Sequence, residues 1–562
     1  MVGPPLQLMR IWGACCSQAP HFFPYHARMS MKRIEVTADC IWLYSDFADR
    51  FKCAGLPGAR WVGSEEAWKL PATPGTWEQV REAFPEDAKS CGLDIALAWR
   101  KDAHLPNERY GANDYEHTTQ PWTHQVRGTR FATMMDSCLL HCWMGTGKTK
   151  ITLDAIRTLG HKRTLVICPS CVVPVWETQA DTHAPGIFSV LALGKGKSTV
   201  KRTDVLSLAL RHEAGPLIVV VNYEAAWQKS LGKGIAKTEW DCIVLDESHR
   251  VKAPGSKCSR FVAKLKAKHK LCLTGTPMPH SPLDIYGQYR FLDPGIFGTR
   301  FTAFRARYAI MGGFENRVVV GYQNQDDFRM RLDKLRLHVT ADVLDLPPIQ
   351  TIDRRCPLEP AARKLYDQLE RELIAELGEG VITAANALVK LLRLQQICGG
   401  AVPADDEDKL TEVSTAKRNL LAEMLEDLQG ERVVVFARFR YDLGAARAEA
   451  ERLGYRVGEI SGSANDYKQW CESDELDLLV VQTQAGGLGI DLTAARVAIF
   501  YSLGFSLGDY QQAIARVHRP GQTRPTVIYR LLAVNTVDVR IVQALRKREN
   551  VIESILGDLR GD

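Results

Sequence analysis

The stretch that most constrains this chain is Leu139-Leu140-His141-Cys142-Trp143-Met144-Gly145-Thr146-Gly147-Lys148-Thr149-Lys150. A short apolar run feeds a glycine-spaced turn, Lys-Thr follows, and an apolar-periodic segment runs from Ile151 to Leu159. Strand, loop and helix in that order are what a phosphate site needs. Gly145 and Gly147 carry no Cβ, so backbone N–H groups, that of Thr146 among them, can close around phosphate oxygens at the helix N-terminus. Lys148 would reach the β- and γ-phosphates, and the Thr149 hydroxyl would ligate Mg²⁺. The pattern G-x-x-x-x-G-K-[ST] lacks its first glycine, with Cys142 in that place. Without a partner carboxylate, a glycine-rich turn before an ordinary helix is the competing reading.

That partner follows. Asp246-Glu247-Ser248-His249 ends the apolar run that starts at Asp241. At a strand end beside a phosphate loop, Asp246 would hold Mg²⁺, and Glu247 would orient and deprotonate an attacking water. Other apolar runs, Thr164–Cys168, Leu217–Val221, Cys242–Leu245 and Leu271–Leu273, alternate with helical patterns. A second set follows at Val433–Phe436, Leu478–Val481, Val497–Phe500 and Val527–Tyr529. Continuous apolar strands separated by helices form parallel sheets covered on both faces. The predicted fold class is therefore α/β, with parallel-sheet domains at 118–300 and 426–540. Residues 301–425 lean helical and read as helical insertions and an inter-domain linker, and 541–562 as a C-terminal helix.

Upstream, 33–85 reads as a small α+β module, and 86–117 as a linker with a short helix near Leu93–Trp99. Residues 1–32 read as a disordered or upstream extension, with Met29 and Met31 as candidate starts. In the module, Ile34-Glu35-Val36 and Ile41-Trp42-Leu43 alternate like a strand pair. Its aromatics are interleaved with Arg50, Lys52, Arg60 and Lys69, a pattern suited to stacking on bases while holding phosphates. A small domain also needs large side chains inside, so Trp42, Trp61 and Trp68 are expected mostly in its core.

A chain of 562 residues is longer than one core supports. Its 72 Lys and Arg against 66 Asp and Glu leave a net charge of +6, which permits nucleic-acid binding without requiring it. No apolar run is long enough to span a bilayer. Among 15 cysteines, Cys168-x-x-Cys171 is the lone C-x-x-C, with no second pair or histidine cluster to complete a zinc site. Thiols without a disulfide framework, and no clean signal-peptide order, point to an intracellular protein. It would be cytoplasmic in a bacterial or viral setting and nuclear in a eukaryotic one.

Further along, Gln512-Ala513-Ile514-Ala515-Arg516-Val517-His518-Arg519 places two arginines three apart on one helix face. Arginines reaching across a cleft neutralise charge developing on a γ-phosphoryl group, although helix-spaced arginines are often simply solvated. Taken in order, these segments resemble a superfamily 2 helicase core of the SNF2 family, from about Trp122 to Val542. Thr123-His124-Gln125-Val126-Arg127-Gly128 is similar to the segment whose glutamine reads adenine. Cys168-Pro169 with Trp176-Glu177, Val221-Asn222-Tyr223-Glu224, and Leu273-Thr274-Gly275-Thr276-Pro277 resemble motifs Ia, Ib and III. The stretch Leu391–Cys398 is similar to one characteristic of SNF2 proteins. Residues 480–492 resemble motif V and the arginine cluster resembles motif VI, while His280 replaces a usual asparagine.

The resemblance implies two RecA-like domains with ATP between them. ATP would lie on Gln125, Gly145, Thr146, Gly147, Lys148, Thr149, Gly489, Asp491 and Gln512, with Mg²⁺ on Thr149 and Asp246. Lys148, Asp246, Glu247, Arg516 and Arg519 would be catalytic, Arg519 as the finger and Arg516 as its companion. Duplex DNA, forked DNA included, would be contacted without sequence preference through Thr274, Thr276, Thr483 and Gly486. The implied activity is that of an ATP-dependent double-stranded DNA translocase in remodelling, repair or fork processing. An annealing helicase and a strand-separating helicase are the alternatives. The module at 33–85 resembles the HARP-type domain of annealing helicases over that short stretch.

Overall fold

The computed structural model describes residues 33–36, 40–45, 49–71, 73–85, 88, 115–193, 199–211, 215–312, 318–378, 384–403, 410–473, 475–483 and 490–547. The extension 1–32, the helix near Leu93–Trp99, and Gly486 and Gly489 lie outside the described residues.

In the N-terminal module, β1 (Arg33–Val36), β2 (Cys40–Tyr44), β3 (Arg60–Val62) and β4 (Ala67–Pro71) form an antiparallel sheet in the order β1-β2-β4-β3. Alternate side chains leave a strand on opposite faces, so Ile41 and Leu43 are buried and Trp42 between them is not. This corrects the tryptophan expectation. Trp77 is the buried tryptophan of this core, and Trp68 packs at the core's margin. Trp42 lies under the Lys69 ammonium, and Trp61 is 49% exposed.

The helix Pro74–Ala83 opens with proline in its first turn, and Thr73 caps it by accepting the Thr76 N–H. The Thr73 hydroxyl and the Gly75 N–H also donate to the carboxylate of Asp293, at 2.6 and 2.9 Å. Asp293 in turn caps the short helix Pro294–Phe297 of the first lobe, so one buried carboxylate ties the module to that lobe.

The first lobe contains β5 (Ser137–Cys142), β6 (Arg163–Cys168), β7 (Ser189–Leu193), β8 (Leu217–Asn222), β9 (Trp240–Asp246) and β10 (Ala267–Thr274). An antiparallel ribbon, β11 (Ala309–Gly312) and β12 (Val318–Tyr322), precedes β13 (Arg336–Val339). The sheet order β13-β5-β10-β9-β6-β8-β7 is parallel throughout. Its central strands are buried from both sides, as their continuous apolar runs require.

The second lobe contains β14 (Ile349–Cys356), a small antiparallel pair β15 (Ala401–Pro403) and β16 (Leu410–Glu412), then β17 (Val433–Ala437), β18 (Val457–Ile460), β19 (Leu478–Gln482), β20 (Val497–Phe500) and β21 (Thr526–Ala533). Its six-stranded sheet runs β14-β21-β20-β17-β19-β18, again all parallel. The helix Val537–Lys547 packs Val537, Ile541 and Leu545 into this lobe's core.

The stretch 301–425 is thus not helical throughout. It supplies an edge strand to each sheet, β13 beside β5 and β14 beside β21. Edge strands meet water on one side and need no continuous apolar run, so their polar alternation hides them among helices. Among the described residues, no helix is long and apolar enough to cross a membrane.

Candidate functional site

In a parallel sheet all strands end at one edge, and functional groups gather there. Here β5 ends at Cys142, the neighbouring β10 at Thr274, and β9 beside it at Asp246. The phosphate-loop segment leaves β5 and enters the helix Lys148–Thr158 through Gly147. Gly145 and Gly147 have φ of +79° and +83°, the region that a Cβ disfavours. A Cβ on Gly147 would also collide with the Gln125 amide, and one on Gly145 would lie 2.9 Å from Pro520 of the second lobe.

Gln125 is buried. Its Nε2 donates to the Thr146 carbonyl at 3.1 Å, and its Oε1 accepts the Trp122 N–H at 2.9 Å. His124 Nε2 lies 2.8 Å from the same Thr146 carbonyl. The glutamine expected at adenine therefore braces the loop, with one N–H and one lone pair left over. The Thr146 hydroxyl donates to Trp143 O, while Lys148 Nζ donates to the carbonyls of Cys142 (3.1 Å) and Trp143 (3.4 Å). Thr149, next on the helix, is half-buried.

The Asp246 carboxylate is held on both oxygens. Trp176 Nε1 donates to Oδ2 at 3.0 Å and the Glu247 N–H to Oδ1 at 3.0 Å, while Tyr223 O–H donates to the Asp246 carbonyl at 2.8 Å. Burial, helped by the Glu247 charge, pushes Asp246 up to about 6. Glu247 has φ +50°, an uncommon conformation for a residue with a side chain. Its Oε2 lies 3.3 Å from both His249 Nδ1 and Thr274 Oγ1. Burial would raise Glu247, but the His249 bond and the charges of His249, Lys148 and Arg516 outweigh it and bring it down to about 2.

The second lobe presents the helix Leu507–Val517, capped by Ser506, with Gln512 and Arg516 one turn apart. Burial lowers Arg516, the Arg519 charge adds to this, and Glu247 across the cleft opposes it. Arg519 Nη1 donates to Ile490 O at 3.4 Å, and its Nε lies 3.5 Å from Asp491 Oδ2. Asp491 also accepts the Thr493 hydroxyl at 2.6 Å. Among the described residues, the buried Nε atoms of Arg516 and Arg519 have no hydrogen-bond partner. A glycine cradle at a helix N-terminus, two such guanidinium groups, and a buried carboxylate with raised proton affinity suit a polyphosphate carrying a cation.

The structure thus brings Gln125, Gly145–Thr149, Asp246, Glu247, Arg516 and Arg519 to one cleft between the lobes. The threonines expected along DNA sit differently. Thr274 is fully buried against Glu247, and Thr483 directs both its N–H and its hydroxyl to Ala437 O. Thr276 is buried too, near Gly508 of the second lobe. Residues at the ends of doubly covered strands point into the fold, which spacing alone does not show. Trp176, Tyr223 and His124 stand in the motifs named above, but their partners are 70, 23 and 22 residues away and carried no local signal, whereas His249 meets Glu247 only two residues before it.

Comparison with known proteins agrees with this architecture. The SNF2-related domain matches residues 64–401, and the helicase conserved C-terminal domain matches 416–521. The chain is 28% identical over 481 residues to putative protein p41 of Acyrthosiphon pisum secondary endosymbiont phage 1, covering 78% of this chain and 98% of that protein. It is 24% identical over 465 residues to the CHD3-type chromatin-remodeling factor PICKLE of Arabidopsis thaliana, covering 74% of this chain and 32% of that one. With the putative ATP-dependent helicase/translocase YwqA of Bacillus subtilis it shares 26% identity over 475 residues, covering 80% of this chain and 48% of YwqA. The chain therefore spans about a third of the length of PICKLE and about half that of YwqA. The solved Sulfolobus solfataricus SWI2/SNF2 ATPase core in complex with dsDNA is 23% identical, with 79% of this chain and 95% of that one covered at a TM-score of 0.37. With the SNF2-related domain matching more than half of its residues, the chain, built on two parallel-sheet lobes, belongs to the SNF2-related family.

Proposed function

We propose that the protein hydrolyses ATP in the cleft between its lobes and uses the closing and opening of that cleft to move along duplex DNA. The observation that carries this reading is the meeting of both lobes at the phosphate loop. Gly145 abuts Pro520, and Glu247 of the first lobe senses Arg516 of the second. Lys148 would exchange its carbonyl partners for the β- and γ-phosphates, and the loop N–H groups would take the remaining oxygens. Thr149 and Asp246 would hold Mg²⁺, which when bound offsets charge on the phosphates. Arg519 and Arg516 would meet the charge developing on the γ-phosphoryl group.

Glu247, held near 2, is a weak proton acceptor. In a loose phosphoryl-transfer transition state the water needs orienting more than early deprotonation, so an ionised, fixed carboxylate fits the task. The Gln125 bracing of the loop is compatible with its spare N–H and lone pair serving adenine.

DNA contact would fall mainly on phosphates, through backbone N–H groups and surface Lys and Arg, and would weaken with salt. The alternating basic run Lys264, Lys266, Lys268 and Lys270 is one candidate, but its members are not equivalent: the first three are exposed, while Lys270 is half-buried and donates to Phe291 O. The described cysteines are all free thiols, which with ATP as substrate supports a reducing, intracellular setting.

The test is phosphate release by the purified chain with no DNA, single-stranded DNA and duplex DNA. Duplex is expected to stimulate most. Lys148→Ala and Glu247→Gln should each lower turnover by about 100-fold or more, the range removal of a catalytic electrostatic group produces. Undiminished hydrolysis in either folded variant overturns the site.

One observation favours fork processing as a second reading. Phe51 is 75% exposed with the Arg50 guanidinium over its ring, and Trp61 is 49% exposed on the same module. Such a surface suits unpaired bases. Deleting residues 1–115 should then weaken binding to forked DNA more than to plain duplex, and equal loss counts against it.

A further inference from the structure

We infer that Trp176 is the positioning residue for Asp246, fixing the carboxylate in the orientation from which it would meet Mg²⁺; this rests on the reading of Asp246 proposed above. Trp176 stands on the helix Val173–His183, which follows β6, and is among the most completely buried large side chains of the molecule. Its indole N–H is a single donor with no acceptor capacity, and it points at Asp246 Oδ2 from 3.0 Å. A buried indole does not need a carboxylate to be satisfied. Trp240, equally enclosed in the same lobe, donates to the Ile235 backbone carbonyl at 2.9 Å.

Pairing a neutral donor with an ionisable acceptor gives the acceptor a direction and leaves its charge in place. The other side of the same residue is fixed as firmly. Glu247 N–H holds Oδ1, and the Tyr223 hydroxyl, from the helix after β8, holds the Asp246 carbonyl. The strand end is therefore gripped from two neighbouring elements, and Trp176 is the one of them that acts on the side chain, at Oδ2. Partners of metal-binding carboxylates that act this way control affinity for the metal more than affinity for the rest of the ligand.

The experiment uses the full chain and a non-hydrolysable ATP analogue, with its binding titrated against Mg²⁺ and again in excess EDTA. Trp176→Phe keeps an aromatic ring and deletes the N–H. Incorporation of 3-benzothienylalanine at 176 keeps the bicyclic shape as well, so the result does not depend on the smaller ring folding normally. Both should raise the Mg²⁺ concentration at half-saturation by about 10-fold or more, with analogue affinity in EDTA within about twofold. Asp246→Asn is the reference. If it shifts the Mg²⁺ dependence and the 176 variants do not, Trp176 has no positioning role. If Asp246→Asn itself leaves the dependence unchanged, the assignment of Asp246 fails and the inference with it.

Discussion

Gly147 is fixed by two independent constraints, and the structure says how they should combine. Its φ of +83° costs a residue with a Cβ about 1–2 kcal/mol. Its missing side chain is also the space occupied by the Gln125 amide. In Gly147→Ala the new methyl must displace that amide, which breaks its bonds to Thr146 O and to the Trp122 N–H. At about 1 kcal/mol for each bond, the single variant should lose roughly 3–4 kcal/mol. Gln125→Ala alone loses the two bonds, about 2 kcal/mol, and opens the space. In the double variant the methyl has room, so only the backbone term and the glutamine loss remain. The cycle should therefore close with a coupling of about 2 kcal/mol, the double variant being less destabilised than the sum. Denaturant unfolding of the four proteins measures this directly. Additive losses, within about 0.5 kcal/mol, would refute the view that Gln125 is what excludes a side chain at 147.

Asp442, buried on the helix Arg440–Arg452 and bonded by the Ser502 hydroxyl, is pushed by burial up to about 6 from a free value of 3.8. The folded state thus binds this proton more tightly than the unfolded one, so the group's stabilising contribution is present below pH 3.8 and lost as pH rises towards 6. Asp442→Asn should gain on the order of 3 kcal/mol over wild type above pH 6 and little near pH 4, as urea unfolding across that range will show. Asp293→Ala removes the acceptor shared by Thr73, Gly75 and Gly295. It should cost about 3 kcal/mol and expose residues 33–85 to protease ahead of the two lobes, and unchanged proteolysis would show that the module is held elsewhere.

What could be seen in advance follows from the range of each signal. The phosphate loop and Asp246-Glu247 were legible because their chemistry is local, a glycine-spaced turn and two carboxylates after an apolar run. The parallel sheets were legible where strands are central, as with Val433–Ala437, whose residues are all buried. They were hidden at the edges, where Arg336–Val339 and Ile349–Cys356 mix polar and apolar residues. Trp42 was misplaced because size argued for the core while strand alternation placed it on the other face. Thr274 and Thr483 were expected at a surface because the motifs they resemble imply contact with DNA. Their hydroxyls are enclosed because each closes a doubly covered strand.

The electrostatics of the cleft also constrain how its opening can matter. Glu247 is held ionised first by His249 and then by Lys148, both of its own lobe, with Arg516 the weakest of the named charges. In the proposed cycle, separation of the lobes removes Arg516 and leaves the His249 hydrogen bond and Lys148 beside Glu247. Opening of the cleft would draw back the pair of guanidinium groups, and with them the proposed stabilisation of charge on the γ-phosphoryl group. The lobes also touch directly. At Gly145 the Pro520 ring, and at Gly508 the side chains of Pro279 and Thr276, come from the opposite lobe close to a backbone that carries no Cβ. Contacts of that kind fall away over a fraction of an ångström, because dispersion weakens steeply with a small gap. Opening therefore breaks the packing between the lobes first and weakens the arginines progressively as the gap widens, while the phosphate loop itself stays with the first lobe.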